Sequence, residues 1–103
     1  MQVNFYATLR QVVGAKTVDI QWSPGMTVNG LLEEMLRCYP ALRHELLDGN
    51  GELYSHVHIF VNGRDASFLD HALDTEISSE DVVGVFPAVG GGSQIRVSFL
   101  TQA

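Results

Sequence analysis

Val82-Val83-Gly84-Val85-Phe86-Pro87-Ala88-Val89-Gly90-Gly91-Gly92 joins an apolar run to three consecutive glycines. Val82 to Phe86 reads as the last strand of a domain, built from residues that favour a buried, pleated surface. The glycines behind it lack Cβ atoms. They make a thin arm that can thread a narrow enzyme channel and bring a carboxylate up against a nucleotide phosphate. The chain continues from Ser93 to Ala103, so a carboxylate at Gly92 exists only after the bond to Ser93 is cut.

Moving outward from that strand, the rest of the chain reads as strand, strand, helix, strand, strand. Val3, Phe5, Ala7 and Leu9 alternate with Asn4, Tyr6 and Thr8. Val18, Ile20 and Trp22 alternate after a Gly14-Ala15 turn, which predicts a hairpin with one buried face. Pro24-Gly25 turns the chain, Thr27 stands at an N-cap, and Val28, Leu31, Leu32, Met35 and Leu36 recur at helical spacing up to Tyr39-Pro40. A shorter helical piece spans Leu42 to Leu47, before the turn Asp48-Gly49-Asn50-Gly51. Val57, Ile59 and Val61 alternate with His56, His58 and Phe60 as a central strand, and Asn62-Gly63 forms a tight turn. Leu69, Leu73 and Ile77 feed the core from the connection that follows.

The first and last strands are far apart in sequence and both read as buried, so they are expected to pair in parallel at the sheet centre. The expected class is α+β: a ubiquitin-like β-grasp, a mixed sheet with one main helix packed on one face. The other face stays open. Alternation places Tyr6, His58, Phe60 and Phe86 there, a row of aromatic rings that continues through Pro87 into the glycine arm and marks a partner-binding surface.

With 103 residues, the chain fits one domain. No apolar run approaches the roughly 20 residues that span a bilayer, and the start lacks the pattern of a signal peptide, so a cytoplasmic protein with no membrane partner is expected. Twelve acidic against six basic residues argue against nucleic acid. Cys38 is the single cysteine, which excludes an internal disulfide; it is expected to be partly buried, with no catalytic role. His56 and His58 share a strand face, but no third ligand accompanies them, and no metal site is expected. Lys16 is the only lysine, which leaves almost no site for building chains of this protein on itself.

Five pieces of sequence resemble the small ubiquitin-like sulfur carrier family, the MoaD and ThiS proteins with their archaeal modifier and cysteine-synthesis relatives. They are Phe5-Tyr6-Ala7-Thr8-Leu9-Arg10, Tyr39-Pro40-Ala41-Leu42, Leu46-Leu47-Asp48 with Gly51-Glu52-Leu53, Ile59-Phe60-Val61-Asn62-Gly63-Arg64-Asp65, and Phe86-Pro87-Ala88-Val89-Gly90-Gly91-Gly92. The resemblance covers Val3 to Gly92. It implies a carrier that is not itself an enzyme and binds no cofactor. An adenylating enzyme of the ubiquitin-activating type uses ATP to activate the terminal glycine, and sulfur then replaces AMP to give a thiocarboxylate. Gly92 would hold the sulfur, with Gly90 and Gly91 as the arm. The partners implied are the activating enzyme, a sulfurtransferase and, for molybdopterin, a large synthase subunit. The start and the Asn-Gly-Arg-Asp turn look more like the molybdopterin and modifier branches than the thiamine branch.

Residues 93–103 depart from the family pattern, in which the glycine pair ends the protein. They divide the chain into a carrier domain, 1–92, and an extension. In one reading the extension is a propeptide removed between Gly92 and Ser93, with a zinc metalloprotease as the processing partner. In the other it is permanent: Ile95, Val97 and Phe99 alternate with Arg96 and Ser98, so a tail strand could cap a sheet edge, lie over the aromatic face or mediate self-association. That second reading gives a non-catalytic interaction module or a small archaeal-type modifier.

Overall fold

Val83, Gly84 and Val85 sit at the middle of the sheet with partners on both sides. The computed structural model describes residues 1–87; the arm at Gly90, Gly91 and Gly92, the Gly92–Ser93 junction and the tail lie outside the described residues. The strands are β1 (Gln2–Phe5), β2 (Thr17–Asp19), β3 (His58–Val61), β4 (Arg64–Asp65) and β5 (Val83–Phe86), and their order across the sheet is β2-β1-β5-β3-β4. β5 runs parallel to β1, with Val3 opposite Val83 and Phe5 opposite Val85. It runs antiparallel to β3, with His58 opposite Phe86 and Phe60 opposite Gly84. The expected parallel pairing is present, in the β-grasp arrangement. β3 is an inner strand, but the middle place belongs to β5.

The helices are α1 (Leu9–Val13), α2 (Val28–Cys38) and α3 (Leu42–Leu46). α2 starts where the Thr27 hydroxyl accepts the Gly30 N–H at 3.1 Å, a cap worth about 1 kcal/mol. Its stripe of Val28, Leu31, Leu32, Met35 and Leu36 is buried as the spacing predicts. That stripe packs on the sheet face carrying Val3, Phe5, Ile59, Val61, Val83 and Val85, all in one core cluster. Ile77 joins the core, and Leu69 and Leu73 pack against it half-buried. Asn62 (φ 53°) and Gly63 (φ 82°) make the tight turn into β4, a left-handed pair that a two-residue hairpin requires.

Three expectations need correction. The first strand stops at Phe5 and does not run on to Leu9. Ala7 adopts a left-handed φ of 54°, and the chain turns into α1, so Leu9 is buried from a helix and not from a strand. Phe5 and Leu9 are four apart, a spacing that satisfies the helical period as well as the strand period. Gly14 is accordingly the left-handed C-cap of α1 (φ 85°), its N–H donating to the Arg10 carbonyl, and not a hairpin turn. Cys38 is exposed and not partly buried: the stripe that ends at Met35 and Leu36 continues to Tyr39, leaving position 38 off it. His56 lies in a turn before β3 and shares no strand face with His58; its ring stacks on Tyr54 at 4.8 Å.

Among the described residues no helix is long and apolar enough to cross a membrane, and no three His, Cys, Asp or Glu side chains converge as metal ligands would.

Candidate functional site

Strand pleating sends Asn4 and Tyr6, Gly84 and Phe86, and His58 and Phe60 to the face opposite α2. Tyr6 follows the end of β1, but its N–H still donates to the Val85 carbonyl (3.2 Å), which keeps its ring over the sheet. Tyr6 and Phe86 stack with centroids 4.0 Å apart and planes within 5°. Phe60 meets the same Phe86 ring edge-on at 5.1 Å, and His58 lies 6.3 Å beyond Phe60. The four rings form one connected surface, as alternation predicted. Tyr6, Phe60, Phe86 and Pro87 are half-buried, and His58 is exposed.

The rings border a groove of about 290 Å³ that follows β5, lined by Val82, Gly84 and Phe86, with Asn4 and Tyr6 on one side and Phe60 and Gly63 on the other. Gly84 lets the rings lie close against the strand. A Cβ there would sit 3.1 Å from the Tyr6 ring and 3.5 Å from the Phe86 ring. Sequence reading passed over Gly84, although a glycine inside a strand is a signal of close approach. It also missed Arg10. The first turn of α1 brings the Arg10 guanidinium over the outer face of Tyr6 at 5.5 Å, while its Nε donates to the Phe5 carbonyl at 2.9 Å.

The surrounding charge is acidic and anchored. His58 Nδ1 and the Asp65 carboxylate are 3.0 Å apart. Burial pushes Asp65 upward, but the Ser67 N–H and hydroxyl, together with His58, outweigh it and hold the carboxyl below its ordinary value. Asp81, beside Val82, is likewise lowered, by the Ser78 N–H and by the Asn62 side chain. The donors around both carboxylates favour their ionised form. A flat aromatic surface with a shallow groove, at the end of the strand that leads into the arm, is suited to docking.

Comparison with known proteins gives a consistent result. The sequence profile of the ThiS family matches residues 3–92. Small archaeal modifier protein 3 of Haloferax volcanii is 35% identical over 92 residues, which cover 89% of this chain and 98% of that protein. The crystal structure of small archaeal modifier protein 1 from Haloferax volcanii superposes with a TM-score of 0.79 at 32% identity, covering 89% of this chain and 98% of the other. CysO of Amycolatopsis orientalis, solved in complex with BexX, gives a TM-score of 0.71 at 25% identity over 88% of this chain and 98% of that one.

Proposed function

Because the chain belongs to the ThiS family of ubiquitin-like sulfur carriers and modifiers, non-catalytic proteins that travel as substrates of their partners, we propose that it is a precursor sulfur carrier activated at Gly92. The observation that carries this reading is the end of the family match. It stops on the third glycine, one short arm beyond β5, and leaves Ser93 to Ala103 outside it.

In this reading a processing metalloprotease hydrolyses the Gly92–Ser93 bond, leaving a carboxylate on Gly92 and an amine on Ser93. The carboxylate is a poor electrophile at neutral pH. On an activating enzyme one of its oxygens attacks the α-phosphate of ATP, pyrophosphate leaves, and the resulting acyl adenylate carries AMP as a leaving group. A persulfide delivered by a sulfurtransferase then attacks the carbonyl carbon and AMP departs; a thiol reduces the resulting acyl disulfide, taking the sulfurtransferase sulfur into a new disulfide and leaving the thiocarboxylate. This chain supplies no acid or base. It supplies position: the face of Tyr6, His58, Phe60, Phe86 and Pro87 docks on the partner and fixes where the arm begins. The solved complex of the CysO relative with BexX supports a partner protein as the place of action. We assign the protein to the cytoplasm, where ATP and reduced sulfur are both available, and infer that the product serves molybdopterin or a related cysteine or thiamine synthesis.

The modifier relatives favour a second reading. The same adenylated glycine would be captured by a lysine amine of a target protein in place of sulfur. Unlike the modifier with a permanent tail, both of these readings require the cut. Chains 1–92 and 1–103, incubated with a ubiquitin-activating-type enzyme, ATP and a sulfide donor and read by intact mass, separate them from a permanent-tail module. We expect 1–92 to gain sulfur in place of oxygen and 1–103 to stay unchanged; an inert 1–92 would overturn the proposal.

A further inference from the structure

The groove along β5 has the length and direction to hold the chain's own tail. β5 ends at Phe86 and the described residues end at Pro87, at one end of this groove. From Phe86 back to Val82 is four residue steps, about 13 Å at strand rise. The segment Ile95 to Phe99 also spans four steps and alternates apolar with polar residues. Residues 87–94 between them include Gly90-Gly91-Gly92, enough chain for a reversal above the sheet. Charge agrees with this pairing. Residues 88–103 hold Arg96 and no acidic residue, whereas residues 1–87 hold all twelve carboxylates against five basic side chains, and Asp65 and Asp81 stand beside the groove.

We propose that in the uncut chain the segment Ile95-Arg96-Val97-Ser98-Phe99 folds back over β5 and occupies the groove, with Ile95 over Phe86, Val97 over the ring edges that flank Gly84 and Phe99 over Val82. Val82, 57% exposed in the described structure, is an apolar end wall that such an occupant would cover. This deepens the carrier reading and rests on it for its consequence: the docking face is closed while the tail is attached, and the Gly92–Ser93 bond lies in the connecting loop. An attached segment sees its site at an effective concentration of order mM. A contact too weak to hold a free peptide is therefore populated before the cut, and it is lost once cleavage turns the tail into a separate molecule. Cleavage would then create the reactive end and open the docking face in one event.

The test is NMR of the full chain without any partner. We expect nuclear Overhauser contacts from Val97 methyls to the Tyr6 and Phe60 rings, unchanged on tenfold dilution. In Val97→Asp those contacts should vanish and the resonances of Val82, Gly84 and Phe86 should shift. Val82→Asp, on the groove's exposed end wall, should release the tail in the same way. Identical groove resonances in wild type and Val97→Asp would overturn the proposal. So would contacts centred on the edge strand Thr17–Asp19, or contacts that disappear on dilution, which would place the tail of a second copy there. Because no activating enzyme is present, failure here leaves the sulfur-carrier reading standing, and failure of 1–92 to gain sulfur leaves this result standing.

Discussion

Gly84→Ala separates the face's docking role from its role in the fold. The new methyl would lie 3.1 Å from Tyr6 Cε2 and 3.5 Å from Phe86 Cε1, where carbon pairs prefer about 3.5–4.0 Å. Tyr6 must retreat by a few tenths of an ångström, because its backbone is tied to Val85 while its ring is free to tilt. Replacing glycine lowers the entropy of the unfolded chain, a gain of about 0.4–1 kcal/mol. Opening the 4.0 Å stack between Tyr6 and Phe86 costs up to about 0.5–1.5 kcal/mol. The two nearly cancel, so urea unfolding should place the variant within about 1 kcal/mol of wild type and the melting temperature within about 8 °C. Docking should change more. The central ring pair is displaced, so binding of 1–92 to the activating partner, measured by titration calorimetry, should weaken about tenfold, or ~1.4 kcal/mol. Undiminished affinity in a variant whose Tyr6 resonances have moved would refute the assignment of this face as the docking surface.

Thr27→Ala removes the hydroxyl that caps α2 and should lower stability by about 1 kcal/mol in chemical denaturation, with partner binding intact. Asp65 and Asp81 both have lowered folded values, so the stability they confer is present above the ordinary carboxylate range near 4 and is lost as pH falls through their folded values. Asp81→Asn should therefore flatten the loss of stability below about pH 4, and an unchanged acid slope would count against the Ser78 and Asn62 contacts as its source. Arg10→Ala removes the cation over Tyr6 and the Nε donor to the Phe5 carbonyl, so the same calorimetric titration should show weaker docking and urea unfolding a stability loss of about 1 kcal/mol.

The sheet and main helix were legible because their patterns have one solution. Val28, Leu31, Leu32, Met35 and Leu36 fit only a helix, and the alternation in Ile59 to Val61 and Val83 to Phe86 fits only strands with two distinct faces. Ala7 to Leu9 was not legible, because Phe5 and Leu9 satisfy both periods and the outcome turns on a left-handed Ala7 that no propensity favours. That single error hid Arg10, which reaches Tyr6 only because α1 starts there. The aromatic face survived it, since Tyr6 keeps its bond to Val85. Gly84 was visible as a letter but not as the place where two rings meet the strand, since its effect depends on Phe86 of its own strand and on Tyr6 beyond the end of β1. Cys38 was misplaced by one position on a helical stripe, which is enough to move a side chain from core to solvent.

Intact mass of the protein recovered from its native host distinguishes a cut sulfur carrier from a chain that keeps its tail. A cut carrier gives a species ending at Gly92, part of it with one sulfur in place of a terminal oxygen. Full-length chain alone, in cells where the activating enzyme is present, would contradict it and leave the family likeness as one of fold.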